Sequence, residues 1–267
     1  MPMGSSADSG NHLNSAKIDP TALVENTQLL AAGTRVKRDA KLIGEVRTAD
    51  DVVVDFNAVI YGPVQIGKRT YVGPNCVIGY PDSEELAESI GTGHLVAKRP
   101  TILGERCVVR SSTTIYSDVS VADSVFFGHN VMVREGVTIG SATKVGTNVV
   151  VDGKTVIGAR VSIQTGVYIC TYSTIEDGVF LGPCCVLTND KYLAQKPFNL
   201  IGPTVKRGAS IGANAVLFPG IVVGEGAVVG SQALVNTDVP AKVVFAGIPA
   251  KKLRDVPGDW NSGLLEK

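Results

Sequence analysis

The 267-residue sequence predicts an all-β solenoid, a chain wound into a prism of short parallel strands. Three observations carry this. From Ile18 an aliphatic residue returns every sixth position: Val24, Leu30, Val36, Leu42, then Thr48, Val54, Ile60, Ile66, Val72 and Ile78. The phase resumes at Leu103, runs to Leu187, and returns from Val205 to Val235, with Thr48 alone neither aliphatic nor Phe. A second column, four residues after the first, is nearly always Ala, Val, Thr, Ser or Cys; Gln28 and Ile221 are the exceptions. Composition agrees: 39 Val stand against 17 Leu, and Gly is 30 of 267, about 11% against a typical ~7%. Such a chain suits short strands and tight turns, not long helices.

A period of six fits neither an amphipathic helix nor a plain alternating strand. It fits one short strand and one turn per hexad, with the aliphatic residue pointing inward and the small residue where the interior narrows. Gly often follows the aliphatic position, as in Ile66-Gly67, Ile139-Gly140 and Ile211-Gly212, where freedom of backbone angle is the expected reason. Coils stacked at ~4.8 Å would give roughly ten turns and a rod ~50 Å long. Each inward aliphatic contributes ~1.5–3 kcal/mol of burial, enough only when neighbouring coils stack.

Taken in order, residues 1–17 form a flexible polar leader, 18–240 the winding, and 241–267 a short tail expected to be helical. The winding is interrupted at 79–102 and 188–204. The first excursion opens Asp82-Ser83-Glu84-Glu85, a helix-start pattern, and holds His94 after two glycines. The second holds Asn189, Asp190, Lys191 and Tyr192. If neither skips a face, Ile78 shares a column with Ile115 and Leu187, so both excursions leave one corner and could flank a common cleft.

Charge excludes whole classes of function. Lys plus Arg and Asp plus Glu are 25 each, which leaves no electrostatic footprint for nucleic acid or for anionic lipid. No stretch reaches the ~18 apolar residues of a membrane span, and the start lacks a signal-peptide core, so a cytoplasmic protein is expected. Five Cys without paired spacing argue against a disulfide framework.

The hexads IGKRTY, VGPNCV, IGSATK, IGARVS, IGANAV and VGEGAV resemble those of the left-handed β-helix hexapeptide-repeat acyltransferases, over about residues 18–250. The resemblance implies a left-handed coil, where the general crossover rule would give a right-handed one. It also implies a homotrimer with sites between adjacent prisms. GVFLGPCCVLTNDKY, the coils after it and VFAGIPAKKL are most similar to the N-acetyltransferases of nucleotide-linked amino sugars. That implies acetyl-CoA or another acyl-CoA as donor, a sugar amine as acceptor, and a Thr-Asn-Asp loop in the cleft between subunits.

A coil interior filled with Val and Ile has no room for substrate, so chemistry must lie outside. Small residues on the last coils, Gly212, Ala213, Gly226 and Ala227, would let backbone amides approach a pantetheine arm. Lys206, Arg207, Lys242, Lys251, Lys252 and Arg254 concentrate at the same end, suited to the phosphates, although basic residues near a terminus are commonly just solvated. Acyl transfer to an amine needs a base for the released proton. His12 lies in the leader; His129, in FFGHNVMV, sits at the third hexad position and should point outward. Related transferases use a coil-borne His there as general base, and imidazoles as a class titrate near neutrality. The bland alternative is a surface His bonded to the next coil. Asn189, Asp190 and His94 are candidates for acceptor contact, although Asn-Asp is also ordinary turn chemistry. Gln164-Thr165-Gly166 stands where some sugar-nucleotide enzymes carry Gln-Asn-Asn.

Rival readings are an O-acyltransferase, which would depend more heavily on His129, and a non-catalytic trimeric scaffold. A zinc carbonic anhydrase of this shape needs three converging His, and only His94 and His129 remain outside the leader, so no metal is expected. Cys76, Cys107 and Cys185 fall in the small inward column and should only pack.

Overall fold

The computed structural model describes residues 15–93, 95 and 97–265. It is an all-β parallel solenoid with very little helix, matching a left-handed β-helix. Strands of two to four residues, with two longer ones at the end of the first, build three sheets, the faces of a prism. The first face begins with Lys17–Ile18 and Arg35–Val36, the second with Leu23–Val24 and Lys41–Ile43, the third with Val46–Thr48 and Val64–Ile66. The chain crosses them in that order, so three edges run along the rod. Edge one joins the first face to the second, edge two the second to the third, and edge three the third to the first. Twelve parallel strands stack in the first face, rather more than ten coils, which at ~4.8 Å spacing gives a length of ~53 Å.

Packing explains both columns. Val54, Ile60, Val72, Ile78, Ile115 and Phe127 have no exposed surface, and neither do Ala58, Cys76, Cys107, Val125 and Ala215 of the small column. Thr48, the odd member, is admitted because its hydroxyl has partners: Thr34 Oγ1 lies 2.8 Å away and Ala31 N–H donates at 3.1 Å. Inward Thr70 and Thr143 donate to the Gly104 and Gly158 carbonyls at 2.7 and 2.9 Å, so no hydroxyl is buried unpaired there.

The glycines after the aliphatic column answer to a different constraint from the expected one. Gly67, Gly140 and Gly212 are absent from the left-handed region; a Cβ on Gly140 would lie 2.5 Å from Ala159 N in the next coil. Closeness of coils, not backbone angle, excludes a side chain here. Left-handed φ instead falls two residues later, at Arg69, Ala142 and Asn214 and at the matching Asn57, Asn75, Asn130 and Asn148, between +52° and +58°. Asn tolerates that region better than most residues.

Both excursions leave edge two, since Ile78 pairs with Ile115 and the column continues through Val133, Val151 and Ile169 to the Leu187 strand. They stand five coils apart, about 24 Å, so within one chain they do not share a cleft. The first contains α1, Ser83–Thr92, capped by Asp82, which accepts from Glu84 N and Glu85 N while Glu85 reaches back to Asp82 N. Buried Glu85 also accepts from Ser117 Oγ and Lys98 N at 2.7 Å, and Arg99 bridges Asp82, Glu85 and Asp118. The helix is thereby locked to the prism.

The tail is a β-hairpin rather than the expected helix. Val243–Gly247 adds a last parallel strand to the first face, and Ala250–Asp255 returns antiparallel to it. The reason lies in Gly247-Ile248-Pro249: Gly247 turns the chain at φ +99°, and burial of Val243, Val244 and Phe245 follows the sheet, not a helical stripe. No helix among the described residues is long and apolar enough to cross a membrane.

Candidate functional site

Edge one holds His129, between the strands Phe126–Phe127 and Met132–Val133. Its side chain is exposed, as the third hexad position requires. Ser111, one coil away, places Oγ 2.7 Å from His129 Nδ1. The His129 N–H donates to Thr147 Oγ1 at 3.3 Å, and Asn130 Nδ2 donates to Asn148 Oδ1 at 2.9 Å. Ser111, His129, Thr147 and Thr165 thus form a polar ladder, one rung per coil. Ser111 escaped the sequence reading, yet the 18-residue coil period marks it, since it lies one period before His129. The contact fits two tautomers; in the one where Nδ1 donates to Ser111 Oγ, the Nε2 lone pair faces solvent and is free to accept a proton.

Asn189 and Asp190 lie on edge two, away from His129. Asn189 Nδ2 donates to the Thr171 carbonyl at 3.3 Å, and Asp190 accepts from Tyr192 N at 2.8 Å and Ala194 N at 2.7 Å. Asp190 holds the loop in its own shape, which is the turn chemistry weighed against a substrate role, while Asn189 ties the loop to the preceding coil. His94 falls outside the described residues. Between the two excursions the edge carries an unforeseen cluster. Arg134 reaches Glu135 at 3.0 Å and Asp152 at 3.5 Å, and Tyr168 OH donates to Asp152 at 2.8 Å. Burial, aided by that bond, pushes the Tyr168 phenol up to about 12, so it stays a donor.

The candidate donor-binding residues divide among edges. Gly212 and Ala213 lie on edge one, four coils below His129, about 19 Å. Lys206, Arg207 and Gly226 lie on edge three. Ala227 is buried, its methyl in the core. Lys206 Nζ meets Glu176 at 2.7 Å, and this bond holds the Glu176 carboxyl below the usual carboxylate range. Lys251 and Lys252 lie on the returning tail strand, opposite Ala246 and Phe245, and Lys252 pairs with Asp255 at 2.7 Å. Arg207 and Gly226 line a cavity of about 350 Å³ together with Lys242 and Trp260. Trp260 drew no notice in the sequence because nothing local to it signals that the tail folds back.

All five cysteines are free; Cys76, Cys107 and Cys185 are buried in the small column, Cys170 is buried too, and Cys184 is exposed. Burial pushes the Cys185 thiol up to about 12 and those of Cys76 and Cys170 to about 11. Among the described residues no group of three or more His, Cys, Asp or Glu is placed to hold a metal ion.

Residues 45–80 match the bacterial transferase hexapeptide family (six repeats), and 118–153 with 207–231 match the hexapeptide repeat of succinyl-transferase. Together these matches cover 97 of the 267 residues. The chain is 50% identical over 55 residues to a chloramphenicol acetyltransferase of Agrobacterium fabrum, covering 21% of itself and 26% of that protein. It is 54% identical over 44 residues to a 2,3,4,5-tetrahydropyridine-2,6-dicarboxylate N-acetyltransferase of Staphylococcus aureus, 16% of itself and 18% of that enzyme. The matches thus span about a quarter or less of these relatives' length. A solved UDP-N-acetylglucosamine acyltransferase from Bacteroides fragilis superposes with a TM-score of 0.42 at 17% identity, over 89% of this chain and 71% of that one.

Proposed function

We propose that the chain is an acyl-CoA-dependent acyltransferase with His129 as general base, its preferred acceptor the amine of a nucleotide-linked amino sugar. The single observation behind this reading is the outward imidazole on edge one with Nδ1 held by Ser111 at 2.7 Å. The acceptor amine attacks the thioester carbonyl carbon as His129 Nε2 takes the amine proton. The tetrahedral intermediate then expels the coenzyme thiolate, which leaves protonated, and the amide remains. Below His129 the second hexad position of edge one reads Gly146, Gln164, Gly182 and Gly212, and at the glycines the next coil's backbone fills the space a Cβ would need. Both curated relatives are named as acetyltransferases, which supports acetyl as the group carried.

Because His129 and the edge-two loop lie on different edges, a site that uses both requires a second copy, in keeping with a homotrimer. Chloramphenicol is a hydroxyl acceptor, so the chloramphenicol relative gives an O-acyltransferase a specific claim as second reading. The test is an acyl-transfer screen of amino-sugar nucleotides and hydroxyl compounds with several acyl-CoAs. Turnover of an amine acceptor is expected. Calorimetry with no acetyl-CoA binding by the intact protein would instead leave a structural scaffold.

A further inference from the structure

The tail does not end at the hairpin. Residues 256–265 fold back over edge three: Ser262 Oγ donates to the Gly178 carbonyl at 2.7 Å, and Leu265 fills the space a Cβ on Gly178 would need. Between these anchors and the hairpin the tail arches over Gly208 and Gly226, whose φ values of +65° and +62° keep the edge there free of side chains. Space remains on both sides of the arch. One cavity, about 350 Å³, faces Arg207, Glu225 and Lys242; the other, about 290 Å³, shares Gly208, Gly226 and Trp260 and faces Asp259. Trp260 roofs both. Arg254 lies 5.2 Å from its ring centroid, and half of its surface is exposed.

The charges are arranged unevenly. Lys206 and Lys252 are committed to Glu176 and Asp255, whereas among the described residues neither Arg207 nor Lys242 has a carboxylate within ion-pair distance. Two uncommitted cations, a backbone floor at Gly208 and Gly226 and a half-exposed indole are what a planar base bearing phosphate requires. Glu225, on the same wall, would repel a phosphate placed beside it and suits a ribose hydroxyl instead.

We infer that this cavity binds a phosphorylated nucleoside, the base against Trp260 and the phosphate between Arg207 and Lys242. The inference deepens the acyl-CoA reading and rests on it only for the nature of the ligand. Such a group comes from either of two sources, the nucleotide end of coenzyme A or the nucleotide of an activated sugar.

The chain has one tryptophan, so its emission reports on this cavity directly. Full-length protein is titrated with adenosine 3′,5′-bisphosphate, with a uridine-diphosphate sugar and with inorganic phosphate while emission is followed. A saturable change with a nucleotide is expected, and phosphate alone should give none at the same concentration. Response to the adenosine compound assigns the cavity to the coenzyme; response to the sugar nucleotide assigns it to the acceptor. Arg207→Ala and Lys242→Ala should each weaken binding about tenfold, and Trp260→Ala, followed by calorimetry, by a similar factor. Unchanged emission with every nucleotide, or nucleotide affinity that survives Trp260→Ala intact, overturns the inference. Acyl transfer measured on the same protein decides the function separately, so either idea can fail alone.

Discussion

His129 and Ser111 are the pair on which the proposed chemistry turns. Removing a general base costs about 10²–10⁴ in rate, so His129→Ala should lower turnover by that range if the acceptor is a hydroxyl or a protonated amine. Near-normal turnover would transfer the work to unassisted attack by free amine. Ser111 positions the ring rather than touching substrate, so Ser111→Ala should lower kcat more than it changes KM. Nitrogen NMR of His129 should then show loss of the single tautomer, a change that a purely structural role would not produce. Cysteine reactivity follows from burial. Thiols pushed up to about 11 and 12 are almost wholly protonated at pH 8, so an alkylating reagent should modify Cys184 while Cys76, Cys170 and Cys185 react only on unfolding. Mass mapping of native protein checks this.

At the level of elements, α1 and the edge-three ion pair make separable predictions. Asp82→Ala removes the helix cap, worth about 1 kcal/mol, and should raise hydrogen exchange in 83–92 while the coils stay protected. Glu176 titrates below its ordinary value because Lys206 favours its charged form. Its stabilising contribution is therefore complete above the unfolded-chain value, near 4.5, and is lost as pH falls through the lower folded value. Glu176→Gln should flatten that part of the acid-unfolding curve. The helix start was legible in the sequence because a capping box is local: Asp82 and Glu85 are three residues apart. The tail was not. Its hairpin depends on Phe245 finding the Val229 strand of the previous coil, a contact that no local pattern in VFAGIPAKKL announces.

For the whole molecule, periodicity made the prism readable, since one inward residue in six fixes face, edge and stacking at once. It also placed both excursions on one edge through the shared column of Ile78 and Ile115. It said nothing about which edges meet in function, because outward residues are under no common packing constraint. Hence Asn189 and His129 were both noticed while their separation was not, and Lys206 and Arg207, adjacent in sequence, turned out to be differently engaged.

The reversed last strand has a consequence for assembly. Every parallel rung presents a row of amides and carbonyls that a further rung could extend, and nothing within the repeat itself says where growth stops. Ala250–Asp255 runs the other way and leaves Lys251, Lys252 and Arg254 exposed, so on the first face a further parallel strand meets mismatched polarity. On that face the hairpin ends the row, whereas the second and third faces end at Leu234–Val235 and Val222–Val223 without a reversed strand.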